Sequence, residues 1–149
     1  MLNNMVWPWN KKKKNVFDFK PAMELLELPV VTFYVEEEKL HFLLDTGSTN
    51  SIINEKVVNK IDHIKIEGAA KLQGMEGIIQ TVPYVSINLC YNDVIYIDNF
   101  QVVDMSKAFN DIKRETGITL HGILGTSFFS KYKYIIDFNE LIAYSKIQK

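Results

Sequence analysis

The residues best suited to do chemistry in this chain are Asp45-Thr46-Gly47-Ser48. The apolar run Phe42-Leu43-Leu44 leads into them, and Ser51-Ile52-Ile53 leads out. A strand that ends on a carboxylate fixes where that carboxylate sits. The glycine two residues on lets backbone approach it closely and offer an N–H. A carboxylate held in this way suits general acid–base work. Asp, Thr, Gly and Ser also make ordinary β-turns, so the tetrapeptide alone is a weak signal. Its flanks, the later triplet Ile123-Leu124-Gly125 and a strand-rich context together make it a strong one.

Other chemistries find less support. Cys90 is the only cysteine, so no intrachain disulfide can form and a reducing compartment is compatible. His41, His63 and His121 are scattered, with no paired His or Cys at ligand spacing. They read as surface or packing histidines, and no metal or cofactor is expected. The formal net charge of −1 lacks the basic footprint of nucleic-acid binding.

The elements that must position Asp45 are mostly strands. Val30-Val31-Thr32-Phe33-Tyr34-Val35 is β-branched and aromatic, Glu36 to Lys39 is a charged turn, and Leu40 to Leu44 resumes as a strand. Asn54 can cap a short helix over Glu55 to Val58. Further strands are expected at Tyr84 to Leu89, Val94 to Ile97, Phe100 to Val103, Ile118 to Gly125, Tyr134 to Phe138 and Leu141 to Tyr144. Ser106 can cap a helix to about Glu115, with Gly117 as its stop. Thr126 or Ser127 can cap another, ending near Tyr132. Pro21 to Pro29 fits a short helical turn or an extended lead-in. Many short strands with few helices indicate a mainly antiparallel β domain.

At Asp45 to Ser48, and again at Gly122-Ile123-Leu124-Gly125-Thr126-Ser127-Phe128-Phe129 followed by Tyr134 to Phe138, the chain resembles the retropepsin-like aspartic peptidases. The resemblance covers about residues 30 to 145. It implies a mainly β, closed β-barrel-like acid protease lobe with two short helices. It implies an aspartic endopeptidase acting on extended polypeptides, with Asp45, Thr46, Gly47 and Ser48 as catalytic-loop residues. Thr46 would link the two catalytic loops across a dimer axis. Ile123, Leu124 and Gly125 would lie along the substrate site. Gly74, Met75 and Gly77 resemble the tip of the flap that closes over substrate. Two glycines between apolar arms also suit a plain hairpin turn, and both readings stand.

Water-mediated peptide hydrolysis of this kind uses two facing carboxylates that share one proton. Only one Asp-Thr-Gly loop is present. Asp18, Asp62, Asp93, Asp98, Asp104, Asp111 and Asp137 lie in no such context. A twofold homodimer would supply the second Asp45, because a C2 axis brings identical residues face to face. A Ser48 hydroxyl donating to the outer oxygen of Asp45 would favour the ionised form and a more acidic pH optimum. The alternatives are a catalytically inactive retropepsin-like binding or dimerisation module, against which the intact loop argues, and an unrelated β-barrel binding protein.

The length of 149 residues fits one domain, and the 47 % hydrophobic content supports a sizeable core. Residues 1 to 20 differ in composition and read as a disordered N-terminal arm before a peptidase domain at 21 to 149. In that arm Met5 to Trp9 precede Lys11 to Lys14, the reverse of a secretory signal's order. No stretch is long and apolar enough to span a bilayer. The expected location is therefore cytoplasmic. Trp7, Trp9 and Lys11 could touch an anionic membrane weakly, although a solvated tail is the simpler reading.

Overall fold

A computed structural model describes residues 15–68, 70–73 and 79–146. In chain order the elements are β1 (Phe17–Asp18), α1 (Lys20–Leu26), β2 (Val30–Val35), β3 (Glu38–Leu44), β4 (Ser51–Asn54) and α2 (Glu55–Val58). They continue with β5 (Ile64–Lys65), β6 (Ala70–Gln73), β7 (Ile79–Val82), β8 (Tyr84–Tyr91), β9 (Val94–Val103) and α3 (Ser106–Thr116). Last come β10 (Gly122–Leu124), α4 (Thr126–Lys131), β11 (Tyr134–Asp137) and β12 (Ile142–Ser145).

The main sheet runs β2-β3-β10-β4-β9-β8-β5, and a β2–β8 pairing at Tyr34 and Cys90 closes six of these strands into a barrel. Closure leaves those six strands without a continuous open edge. Alternating side chains fill the interior. Val31, Phe33 and Val35 of β2, Leu40, Phe42 and Leu44 of β3, and Ile87 and Leu89 of β8 all face the core.

The barrel is not uniformly antiparallel. β10 runs parallel to β3, with Ile123 opposite Leu43, and antiparallel to β4, with Ile123 opposite Ile52. β4 in turn runs parallel to β9. The short strand β10 is thus inserted between the two strands that enter and leave the Asp45 loop. Gly122 makes the insertion possible. A Cβ there would meet the Ile52 carbonyl oxygen at 2.5 Å and the Phe42 ring at 2.6 Å.

Four short helices are present among the described residues, two more than the resemblance implies, and they fall on the segments that the residue pattern offered as helical. Pro21 lies in the first turn of α1, where its missing N–H costs no intrahelical bond. α3 stops at Gly117, whose φ of 79° lies in the left-handed region. Asn54 precedes α2 without capping it by its side chain. Its Oδ1 instead accepts the N–H of Met105, tying the end of β4 to the start of α3.

Residues 15 to 20, read from the sequence as the end of the arm, belong to the lobe. β1 pairs with β12, and β12 with β11, in a three-stranded sheet. Phe17 and Phe19 are fully buried. Phe17 stacks on Tyr134 at 4.5 Å and meets Phe33 edge-on at 5.1 Å. The Tyr134 hydroxyl donates to the Asn15 carbonyl, so ring and backbone of this segment are both held. Trp7, Trp9 and Lys11 lie outside the described residues.

Candidate active site

The Asp45 loop hangs between β3 and β4. Asp45 donates its backbone N–H to the Leu124 carbonyl at 3.0 Å, which continues the β3–β10 ladder up to the carboxylate-bearing residue. Its Oδ1 accepts the Gly47 N–H at 2.9 Å. The Ser48 N–H closes the turn on the Asp45 carbonyl at 3.2 Å. A Cβ on Gly47 would stand 3.1 Å from Asp45 Oδ1, so glycine keeps the approach open. Asp45 is half-buried, while Thr46 and Gly47 are exposed. The loop therefore presents a carboxylate, a hydroxyl and a bare backbone at one surface.

The Ser48 hydroxyl does not take the expected position. It donates to the Asn50 carbonyl at 2.6 Å. Its proton serves the loop's own turn rather than the Asp45 carboxylate.

Ile123, Leu124 and Gly125 adjoin the loop, but as its foundation. Strand alternation sends Leu124 into the barrel core, where it is fully buried. Ile123 faces the other way, into a second apolar cluster with Val30, Ile52, Phe109 and Leu120. Both side chains are buried in the single chain. Gly125 lies under the loop. A Cβ there would come within 2.5 Å of the Asn50 carbonyl oxygen and 2.7 Å of that of Ser48. The next two N–H groups bind the loop directly, Thr126 to the Ser48 carbonyl at 2.8 Å and Ser127 to the Thr49 carbonyl at 3.0 Å.

β6 and β7 pair antiparallel from Ala70 opposite Val82 to Gln73 opposite Ile79, the two arms of the expected hairpin. Gly74, Met75 and Gly77 lie outside the described residues.

Sequence reasoning passed over two features. Asp98 is buried on β9 beside Ser51. The alternation Tyr96, Asp98, Phe100 was the available signal, since it puts the carboxyl on the same face as two core aromatics. Burial raises the Asp98 pKa, opposed by hydrogen bonds from Ser51 and the Asn99 backbone and by the Lys131 charge. The second feature is the contact between His41 and His121, whose rings lie 5.5 Å apart on β3 and just before β10. Both pKa values are lowered, chiefly by burial. Both rings are hydrogen-bonded, His121 at Nδ1 by the His41 N–H and His41 at Nδ1 with the Thr32 hydroxyl. Among the described residues no three His, Cys, Asp or Glu side chains are grouped to hold a metal ion, and no helix is long and apolar enough to cross a membrane.

A closed six-stranded barrel with an Asp-Thr-Gly loop seated on an inserted apolar-apolar-Gly strand defines a single acid protease lobe. A family model described as aspartyl protease matches residues 31–128, and the chain belongs to that family, in its retropepsin-like form. No curated protein matches the chain.

Proposed function

We propose that the chain is an aspartic endopeptidase that works as a homodimer. The observation that carries this reading is the Asp45 carboxylate, held at Oδ1 by the Gly47 N–H at an accessible face of a family-typical lobe. A second copy related by a twofold axis would bring its own Asp45 to the first. Two carboxylates brought face to face share one proton. The ionised one takes a proton from the attacking water, and the protonated one donates to the scissile carbonyl oxygen. Exposure of Thr46 and Gly47 supports an interface there, because a single lobe leaves them uncovered. The β6–β7 hairpin is the candidate flap, closing over an extended peptide and excluding water.

The test is hydrolysis of fluorogenic peptides across pH, with sedimentation of the same samples. Activity should rise with the dimer population and fall about 10²–10⁴-fold in Asp45→Asn. Excess Asp45→Asn chain should also suppress the wild type by forming mixed dimers. A stable wild-type dimer with no activity would favour the binding-module alternative. Activity independent of association would overturn the shared dyad.

A further inference from the structure

Asp98 is only 5 % exposed, and it is the carboxyl among the few polar side chains buried in the described residues, the others being Ser51, Asn54, Gln101 and Ser145. A buried carboxyl is costly unless it is partnered. Its Oδ2 accepts the Ser51 hydroxyl at 2.6 Å. Ser51 is fully buried, and its Oγ accepts the Gly125 N–H at 3.1 Å. One hydroxyl thus spends its proton on β9 and a lone pair on the turn after β10. The direction of this relay is set by Asp98. An acceptor there turns the Ser51 hydroxyl away from Gly125, which leaves a lone pair for the Gly125 N–H. Gly125 is the residue whose backbone lies against Ser48 and Asn50. Thr126 and Ser127, next in line, bind the carbonyls of Ser48 and Thr49. A continuous set of contacts therefore runs from Asp98 to the Asp45 loop without touching the Asp45 carboxylate.

We propose that Asp98 is a positioning residue for catalysis, orienting the Ser51 hydroxyl so that the Gly125 N–H, and with it the seat of residues 48 to 50, is fixed beneath Asp45. This rests on the peptidase reading above. Small displacements of a reacting group cost rate more than binding. The effect should therefore fall on kcat.

The experiment compares Asp98→Ala, Asp98→Asn and Ser51→Ala as full chains, by peptide kinetics and by amide hydrogen exchange at Gly125, Thr126 and Ser127. Asp98→Ala and Ser51→Ala should lower kcat about 10–100-fold with KM changed less than about threefold. Asp98→Asn keeps an acceptor for Ser51 and should stay within about threefold of wild type in kcat. Exchange at the three amides should quicken about tenfold or more in Asp98→Ala and Ser51→Ala, and not in Asp98→Asn. If Asp98→Ala does not fold, Ser51→Ala carries the comparison. A folded Asp98→Ala or Ser51→Ala with wild-type kcat overturns the proposal, as do equal losses in Asp98→Ala and Asp98→Asn. If the wild type hydrolyses no peptide, the peptidase reading fails and exchange alone decides the positioning. Unchanged exchange at the three amides then refutes it.

Discussion

The backbone N–H of His41 donates to Nδ1 of His121 at 2.9 Å, and His121 returns its own N–H to the His41 carbonyl at 2.9 Å. This exchange joins β3, four residues before Asp45, to the segment that enters β10. It requires Nδ1 of His121 to be an acceptor, so the ring is neutral with its proton on Nε2. Burial, then the His41 and Lys60 charges, bring the His121 pKa down from 6.5 to about 4.

Stability should accordingly depend on pH in that window. Between pH 6.5 and about 4 the unfolded chain binds a proton at His121 and the folded chain does not. The contribution is intact above 6.5, declines as pH falls and levels off below about 4. For a ring still partly open to solvent, the loss is about 1–2 kcal/mol after allowance for screening. Urea unfolding at pH 7 and pH 4.5, wild type against His121→Asn, checks it. The variant keeps an acceptor near the Nδ1 position and should show a shallower decline. Parallel declines would assign the pH dependence to other groups.

Ser48→Ala tests the role that the structure gives this hydroxyl. Because Ser48 Oγ donates to the Asn50 carbonyl, its loss should loosen the loop by about 0.5–1.5 kcal/mol. The acid limb of the pH–rate profile should stay within about 0.3 unit of wild type. A shift of a full unit would mean that the hydroxyl turns to the carboxylate once two lobes meet.

Three glycines make a graded series. Gly125→Ala sets a Cβ against backbone of Ser48 and Asn50, and Gly122→Ala sets one against the Ile52 carbonyl and the Phe42 ring. Each should cost about 1–3 kcal/mol or more, because neither the backbone carbonyls nor the fully buried Phe42 ring can yield cheaply. Gly117→Ala meets open space, and its cost of about 1–2 kcal/mol comes from the left-handed φ alone. Only the first two should also depress peptide hydrolysis. Thermal melts and kinetics on the same preparations separate the classes. Normal activity in a folded Gly125→Ala would show that the loop does not need its seat.

Much of this is legible in the sequence, for identifiable reasons. Strand β2 is rich in β-branched and aromatic residues, β8 alternates with period two, and the loop announces itself by Asp, Gly and apolar flanks. What failed was long-range. Asp98-Asn99 reads as a polar break, yet β9 continues through it, because Asp98 finds Ser51 on the neighbouring strand β4. Asn54 reads as a helix cap, but its side chain is taken by Met105, 51 residues away. Ser48 is likewise drawn to its own loop. Strand propensity over Ile118 to Gly125 overstates β10, because only Gly122–Leu124 fits between β3 and β4. Polar side chains choose partners by proximity in space, which local pattern does not encode.

Phe17 is where the charged character of the preceding lysines misleads most. Close to Asn15 and Asp18 in sequence, it reads as part of a tail, yet it is fully buried against Tyr134, Phe33, Tyr91 and Tyr96. Truncating such a ring removes both transferred area and packing, so Phe17→Ala should cost about 3–5 kcal/mol. Against a typical total of about 5–15 kcal/mol, that is a large share. Asp18→Asn, at an exposed neighbour, should shift stability by less than about 0.5 kcal/mol. Denaturant unfolding followed by aromatic fluorescence distinguishes the two. If Phe17→Ala unfolds like the wild type, β1 contributes little to the lobe, and a boundary at residue 21 would stand. If it unfolds early, β1 stabilises the sheet with β11 and β12, and peptide activity should be lost at lower temperature with kcat unchanged in the cold.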